Sequence, residues 1–200
     1  MDQGSTEWFD ARCGRVTASR IKDVVSKGAA RAAYMHEIIA ERMTGQTAHR
    51  FTSAAMQWGT DTEPQALASY ALETGTEVEA VGFIEHPRFA FAGASPDGLV
   101  GEGLVEVKCP NTVTHVATLV AGRMPGEHRW QVQWQMACTG RAWCDFVSFD
   151  PRLPSPADLF IVRVDRDETL IAEIEAAVEA FDAEASGHVE RIKGVPDAQA

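Results

Sequence analysis

Three charged residues of the sequence have the types and the spacing that phosphodiester chemistry requires. Asp97 lies nine positions before Glu106, and Lys108 follows two residues later on the same predicted strand. Because side chains alternate along a strand, Glu106 and Lys108 share one face with Leu104. A hairpin of this length can bring Asp97 alongside them. Two carboxylates offer hard oxygen ligands for Mg²⁺ or Mn²⁺, and a neighbouring lysine can orient water and stabilise charge developing at phosphorus.

The same segment also has an ordinary structural interpretation. Pro-Asp-Gly is a common turn, and charged residues that alternate with valine are typical of a half-exposed strand. If helices cover both faces of that strand, however, Glu106 and Lys108 are partly buried, which is costly unless they are paired or bind a metal. An Asp followed by Glu-x-Lys after a short hairpin is the spacing of the PD-(D/E)xK nuclease motif, with Pro96-Asp97 as its first half. The segment alone leaves both interpretations open.

The elements that must position these residues are helices and strands in mixed order. Apolar periodicity predicts helices over 17–28, 31–43, 53–74, 111–122, 127–139 and 166–186. It predicts strands over 78–84, 89–93, 103–108, 143–149 and 159–164. Within 53–74, Gly59 and Pro64 are expected to interrupt the helix, which restarts at a Thr60/Glu63 capping box. This order predicts an α/β fold in which a mixed sheet is flanked by helices on both faces.

Composition limits the class of protein. The 200 residues predict one domain over 1–193 and a frayed tail over 194–200, and the four cysteines form no Cys-x-x-Cys pair. The longest apolar runs are too short to span a bilayer, and scattered cysteines without a signal peptide fit a reducing cytoplasm. A formal net charge of −11 argues against broad, non-specific binding to nucleic acid. It leaves room for a local basic track or for an acidic site that recruits divalent cations.

Several motifs extend the pattern over nearly the whole chain. They are EWFDARCGRVTAS (7–19), QWGTDTEPQA (57–66), SPDGL (95–99), VEVKCP (105–110) and QVQWQM (131–136), in this order. The set resembles the YqaJ-type viral recombinase nucleases, the family of the phage lambda exonuclease, and the resemblance covers roughly residues 8–181. It implies a restriction-endonuclease-like PD-(D/E)xK core.

The resemblance also implies roles for the residues that match. Asp97 and Glu106, with the backbone carbonyl of Val107, would ligate Mg²⁺, for which Mn²⁺ could substitute, and Lys108 would position the attacking water. Glu63 matches an upstream acid that supports a second metal or its water shell. On the sequence pattern alone, Glu63 would be assigned to the capping box instead. A further upstream acid of the family has at best a shifted substitute here, Glu85.

A second set of residues matches the pocket that the family builds for the 5′-phosphate of the digested strand. These positions are Arg12, Ser19, Ser95 and Gln133, and Met56 matches a residue that wedges into the duplex end. An arginine close to a helix N-terminus is a natural anion site. Individually, Arg12 and Ser19 could be a surface charge and a first-turn hydroxyl, Gln133 an exposed polar residue and Met56 a core residue.

The function that the resemblance implies is a Mg²⁺-dependent 5′→3′ exonuclease on double-stranded DNA ends. It would release 5′-mononucleotides and leave 3′ overhangs for phage-type recombination by single-strand annealing. The implied partners are 5′-phosphorylated DNA ends, further copies of the chain in a ring-shaped trimer and a single-strand annealing protein. The implied setting is the cytoplasm of a bacterial host, with the gene in a phage or prophage.

Three alternatives remain open on the sequence. One is a nicking or structure-specific endonuclease of the same fold, and another is a catalytically weak DNA-end-binding recombination adaptor. The third, a small-molecule phosphohydrolase, is disfavoured because the sequence lacks a phosphate-cradling Gly-rich loop.

In the ring-shaped trimer that the resemblance implies, the DNA channel is basic although the whole chain is acidic. The candidate channel cations cluster near the N-terminus: Arg12, Arg15, Arg20, Lys22, Lys27 and Arg31.

Overall fold

The computed structural model describes residues 1–48 and 53–194. Its α-helices are α1 (Thr6–Arg12), α2 (Ile21–Val25), α3 (Ala29–Thr44), α4 (Ala54–Thr74), α5 (Thr112–Ala121), α6 (Arg129–Thr139) and α7 (Glu168–Lys193). Its strands are β1 (Val16–Thr17), β2 (Ile84–Glu85), β3 (Ala92–Ala94), β4 (Gly98–Val100), β5 (Gly103–Lys108), β6 (Trp143–Phe149) and β7 (Leu159–Asp165). Two short 3₁₀ turns cover Ala18–Arg20 and Gly126–His128. The α/β prediction is confirmed, and most of the predicted tail, 195–200, lies outside the described residues.

The strands form two sheets rather than the single sheet that the sequence predicts. The larger has the order β4-β5-β6-β7, with β5 and β6 parallel and the other pairs antiparallel. The smaller has the order β1-β3-β2. Helices α5 and α6 connect the parallel strands, so the chain between Lys108 and Trp143 is the crossover that a parallel pair requires.

Helices cover both faces of the larger sheet, as predicted. On one face, Leu104 of β5 packs in a cluster with Val132 and Met136 of α6. On the other, Val105 and Val107 pack with α4 residues of a second cluster, which include Ala66 and Tyr70. Glu106 lies between Val105 and Val107 in sequence and points to the α6 side. The largest apolar cluster, built from α2, α3, α6 and α7, lies beside the small sheet.

The structure of helix α4 shows that one prediction made from the sequence is wrong. It runs without interruption from Ala54 to Thr74, with Gly59 and Pro64 inside it and Ser53 as the N-cap whose hydroxyl accepts from the N–H of Met56. The Thr60 hydroxyl donates to the Met56 carbonyl at 3.2 Å, so Thr60 is not a cap and Glu63 is not half of a capping box. Burial of Ala66 and Tyr70 against the sheet offsets the backbone hydrogen bond lost at Pro64.

Some local predictions were also wrong at their boundaries. The helix predicted over 17–28 is a 3₁₀ turn followed by α2, which ends at Val25 rather than near Gly28. Between residues 78 and 84, the structure shows one bridge, Glu79 with Leu99, before β2 begins. Helix α1 buries none of its residues and so carries no apolar stripe that periodicity could detect. Among the helices of the described ranges, none is long and apolar enough to cross a bilayer.

Candidate active site

The β4–β5 hairpin brings Asp97 to the strand that carries Glu106. Asp97 lies immediately before β4, and its Oδ2 accepts a hydrogen bond from the N–H of Val107 at 2.6 Å. The hairpin packs so closely that a Cβ on Gly98 would lie 2.2 Å from Cγ1 of Val78. Glycine after the aspartate therefore allows the turn to seat against the chain that precedes it. The Ser-Pro-Asp-Gly stretch forms the entry to this hairpin and delivers a carboxylate to the middle of the fold.

Glu106 is buried and held by three donors. Its residue is 1% exposed. Its Oε1 accepts from Lys108 Nζ and, at 2.5 Å, from Nε2 of Gln131. Its Oε2 accepts from Nε2 of Gln135 at 2.5 Å. The sheet supplies the carboxylate and the lysine, and α6 supplies both amides from one helical face, since positions four apart are neighbours.

The site holds more negative than positive charge. Burial and the charge of Glu106 raise the pKa of Asp97 well above its ordinary value, and the same two causes raise the pKa of Glu63. Burial alone would lower the pKa of Lys108, but the carboxylates of Glu106 and Asp97 outweigh it and raise that pKa. Lys108 is therefore an ammonium at neutral pH. The charge of Glu106 thus acts on both Asp97 and Glu63.

These residues fit a divalent cation. Three carboxylates face a single ammonium, and carboxylate oxygens are the ligands that Mg²⁺ and Mn²⁺ prefer. Glu106 uses three of about four acceptor positions of a carboxylate, so one remains for a cation. Within the described residues, no group of three or more His, Cys, Asp or Glu side chains stands in a ready ligand arrangement. A ligand set would therefore combine Asp97 and Glu106 with a backbone carbonyl, for which Val107 is the candidate.

An open cleft of about 320 Å³ adjoins the site. Ser19, Lys108 and Gln131 line it together with Lys22, Glu127 and His128. The 3₁₀ turn before α2 thus carries Ser19 to the cleft that Lys108 also lines. The imidazole of His128 stacks on Phe146 at 5.2 Å, and burial, aided by Lys108, lowers its pKa.

Arg12 and Ser95 meet although 83 positions separate them. Nη1 of Arg12 donates to the Ser95 hydroxyl at 3.2 Å, and Nε1 of Trp8 donates to the same oxygen at 2.9 Å. The Arg12 guanidinium lies 4.0 Å from the centroid of the Trp8 ring, which fixes its plane. Ser95 is two residues before Asp97, so the Arg12–Ser95 pair stands at the entry of the β4–β5 hairpin.

Gln133 does not join the cleft, and this part of the predicted pocket is wrong. Its side chain is buried, with Nε2 donating to the Asp165 carbonyl at 2.8 Å and Oε1 accepting from the N–H of Asp167 at 2.9 Å. The glutamine that lines the cleft is Gln131, two residues earlier on α6. The contact of Gln131 with Glu106 depends on how α6 packs on β5, which the sequence does not specify.

Met56 lies on the surface of α4 and not in the core. It is 53% exposed. Glu63 follows seven residues later on nearly the same helix face, about 10 Å along the axis. Trp58, two residues after Met56, lies beneath the guanidinium of Arg152, whose carbon is 4.6 Å from the ring centroid. The start of α4 is thus held on the sheet while Met56 projects outward.

Glu85 does not substitute for the missing upstream acid. It forms an ion pair with Arg15 on the surface. Two further cations of the N-terminal cluster are also paired, Arg20 with Asp23 and Glu37, and Arg31 with Glu184. Much of the basic charge that the sequence places near the N-terminus is therefore neutralised within the chain.

Comparison with known proteins identifies the family. A family model described as the YqaJ-like viral recombinase domain matches residues 7–142, which contain the Arg12–Ser95 contact, the β4–β5 hairpin and both Glu106-binding glutamines. The chain belongs to this family. YqaJ-type membership agrees with the PD-(D/E)xK arrangement of Asp97, Glu106 and Lys108.

Solved structures support the same assignment. An alkaline exonuclease, LHK-Exo from Laribacter hongkongensis, is 54% identical with a TM-score of 0.91, covering 94% of this chain and 96% of its own. The same protein has been solved in complex with dAMP. A phage related exonuclease from Haemophilus somnus 129PT, 16% identical, shares the fold with a TM-score of 0.71, covering 89% of this chain and 96% of its own. No curated protein sequence matches the chain. The chain is a YqaJ-type nuclease of the phage exonuclease group.

Proposed function

We propose that the protein is a Mg²⁺-dependent 5′→3′ exonuclease that degrades one strand from the ends of double-stranded DNA. The observation that carries the proposal is the closure of the hairpin. The bond from Val107 N–H to Asp97 Oδ2 fixes one carboxylate beside the Glu106–Lys108 pair. A close structural relative is an alkaline exonuclease, and the motifs that this chain shares with the family cover the same hairpin.

In the proposed reaction, Lys108 is the side chain that contacts the nucleophile. Its ammonium, held by Glu106, hydrogen-bonds the attacking water and faces the charge that develops at phosphorus. Asp97, Glu106 and the Val107 carbonyl would hold Mg²⁺, with Glu63 at a second metal or its water shell. A bound Mg²⁺ supplies Lewis-acid stabilisation of the phosphate and leaving-group oxygens. Hydrolysis in line then releases a 5′-mononucleotide and leaves a 3′ overhang.

The polarity of the proposed reaction rests on an anion site beside the hairpin. Arg12 and Ser95 are in contact, and Ser19 and Gln131 line the adjoining cleft with Lys108. Gln131 takes the place that the sequence assigned to Gln133. A terminal 5′-phosphate bound by these donors would set the scissile bond one nucleotide away from the end.

Met56 is the proposed wedge at the duplex end. Its exposed side chain lies about 10 Å along α4 from Glu63, a suitable separation for an apolar residue that parts the last base pair from the strand being cut. Exposure of a methionine to water is unfavourable in the absence of a ligand, whereas stacking on a base recovers part of that cost.

The proposed assembly is a ring-shaped trimer that encloses DNA, with a single-strand annealing protein that loads on the new overhang. Enclosure fits an acidic chain of net charge −11, because topology reduces the need for a strong electrostatic grip. Light scattering coupled to size exclusion should give about three times the 21.8 kDa chain mass. The proposed setting is the cytoplasm of a bacterium that carries a phage or prophage.

One experiment tests the activity. Linear duplexes with and without 5′-phosphates, and a covalently closed circle, are incubated with the protein in Mg²⁺ and in EDTA. We expect mononucleotides from the phosphorylated linear duplex in Mg²⁺ alone, slower digestion of the 5′-hydroxyl duplex and no cutting of the circle. Cleavage of the circle would overturn the exonuclease assignment in favour of an endonuclease of the same fold. Equal digestion in Mg²⁺ and in EDTA would refute the proposed dependence on a metal ion.

A further inference from the structure

Helix α6 carries three glutamines at alternate positions with different environments. Gln131 lines the open cleft and donates to Glu106 Oε1, while Gln133 is committed to the backbone of Asp165 and Asp167. Gln135 is buried with no exposed surface and donates to Glu106 Oε2 at 2.5 Å. Two of the three therefore hold the same carboxylate from opposite oxygens, one from the cleft and one from the interior.

The side chain of Gln135 has one hydrogen-bond partner within the described residues. Its Nε2 binds Glu106, and its Oε1 is buried and finds no donor among them. Burying an amide with an unsatisfied oxygen costs free energy, since the group loses its bonds to water. A well-packed core would place an apolar side chain at such a position. The hydrogen bond to Glu106 is thus the interaction that offsets the cost of burying this amide.

The chemical type of the donor matters as much as its place. An arginine or lysine at position 135 would orient Glu106 but would also neutralise it. An amide orients the carboxylate without adding charge, so the excess of acidic groups over Lys108 is retained for a cation. Gln131 and Lys108 lie in the cleft, where an entering phosphate can compete for their hydrogen atoms. Gln135 is out of reach of such a ligand and keeps its bond to Glu106 when the cleft is filled.

We propose that Gln135 is a positioning residue that locks the Glu106 carboxylate in the orientation in which it binds a divalent cation. This inference rests on the proposed function, because it takes Glu106 to be a ligand of the catalytic metal. Partners that orient metal ligands typically change metal affinity or activity by 10- to 100-fold when they are removed. Gln135 therefore determines how tightly the site holds its metal, although it touches neither metal nor DNA.

The test measures Mn²⁺ binding to the DNA-free protein by electron paramagnetic resonance or calorimetry. The Gln135→Met variant keeps the side-chain length and removes the donor. We expect its dissociation constant for Mn²⁺ to rise by about 10-fold or more. In activity assays, the Mg²⁺ concentration for half-maximal rate should rise in parallel, while the KM for DNA ends stays within about twofold of the parent.

The matched control is Gln133→Met, which removes an equally buried amide from the same helix. Its Mn²⁺ dissociation constant should match the parent, even if its melting temperature falls because two backbone contacts are lost. Gln135→Asn, which keeps the amide but withdraws it by one methylene, is measured in parallel. It decides the result if Gln135→Met does not fold.

The outcomes separate this inference from the proposed function. If the parent binds no Mn²⁺, or if the Glu106→Gln variant binds it as tightly as the parent, the metal site itself is refuted. If the parent binds Mn²⁺ through Glu106 but both Gln135 variants bind it as tightly, only the positioning role is refuted. Equal weakening in Gln133→Met and Gln135→Met would also refute it, since a general loss of packing would then explain both.

Discussion

At the scale of single residues, the site depends on one ammonium among three carboxylates. Lys108 is bound to Glu106, and its charge lowers the pKa of Asp97 and of Glu63 against the effect of burial. It therefore stabilises the resting site, and in the proposed mechanism it also faces the reacting phosphate. The Lys108→Ala variant should lose about 10²- to 10³-fold in rate, the usual effect of removing one charge-stabilising donor. Single-turnover digestion with saturating protein measures this, and a variant as fast as the parent would refute the assigned mechanism.

Substitution of Glu63 distinguishes a catalytic role of this residue from a helix-capping role. Thr60 bonds to Met56 within a continuous helix, so no cap is lost when Glu63 changes. Glu63→Gln removes one of three mutually repelling charges and should leave the melting temperature in EDTA unchanged or higher. Its rate in Mg²⁺ should fall by about 10-fold or more. A clear drop in melting temperature at unchanged rate would instead support the capping interpretation.

The residue scale also shows what sequence patterns identify and what they miss. Asp97, Glu106 and Lys108 could be predicted because strand alternation and hairpin length are local properties. Gln131 and Gln135 could not, since they reach Glu106 only after α6 packs on β5. The resemblance assigned Gln133 to the pocket, but only the packing of α6 on β5 shows that Gln131 is the glutamine that lines the cleft.

At the scale of elements, α4 continues through Gly59 and Pro64, two residues that disfavour a helix interior. Gly59 and Gly75 allow a matched test, because an added Cβ meets nothing within 4 Å at either position. Gly59 lies inside the helix, whereas Gly75 is the left-handed C-cap with φ +66°. Gly59→Ala should raise the unfolding free energy by about 1 kcal/mol, and Gly75→Ala should lower it by a similar amount. Urea titrations would show the two shifts, and shifts of the same sign would contradict this account.

The turn after β6 gives a pH dependence at the same scale. Burial alone would raise the pKa of Asp150, but hydrogen bonds from Arg152 and Thr112 lower it to about 2. A lowered folded-state pKa stabilises the protein above the unfolded value near 4, and this contribution is lost as pH falls towards about 2. Asp150→Asn should therefore lower the unfolding free energy at pH 7 by about 2 kcal/mol. The difference from the parent should shrink below about pH 4, and a pH-independent difference would contradict the assignment.

Element boundaries followed from the sequence where a whole strand is buried. Strands β5 and β6 were predicted at their observed limits because both are buried along their length. The strand expected over 78–84 does not form along its length. The side chain of Gln3 donates to the Val81 carbonyl, and a single bridge, Glu79 with Leu99, stands where a strand ladder was expected. Helix α1 was missed because its contacts are made by polar atoms of Trp8 and Arg12 rather than by an apolar stripe.

At the scale of the whole molecule, an acidic chain must bind an acidic polymer. Arg12, Lys22 and Lys108 lie around the site and are the candidate phosphate contacts. With about three phosphates neutralised per active site, log K for DNA ends should fall against log salt with a slope on the order of −3. Anisotropy titrations in Ca²⁺ measure it. A slope twice as steep would show that the paired N-terminal cations also release their partners to bind DNA.

The central claim is that the Asp97–Glu106–Lys108 site removes nucleotides from a 5′-phosphorylated end. The most direct measurement uses a linear duplex with a 5′-phosphate on one strand only and a different 3′-label on each strand. In Mg²⁺, we predict that the phosphorylated strand shortens from its 5′ end by single nucleotides while the other strand stays intact. Loss of a 3′-label as the first product, or equal shortening of both strands, would contradict the account.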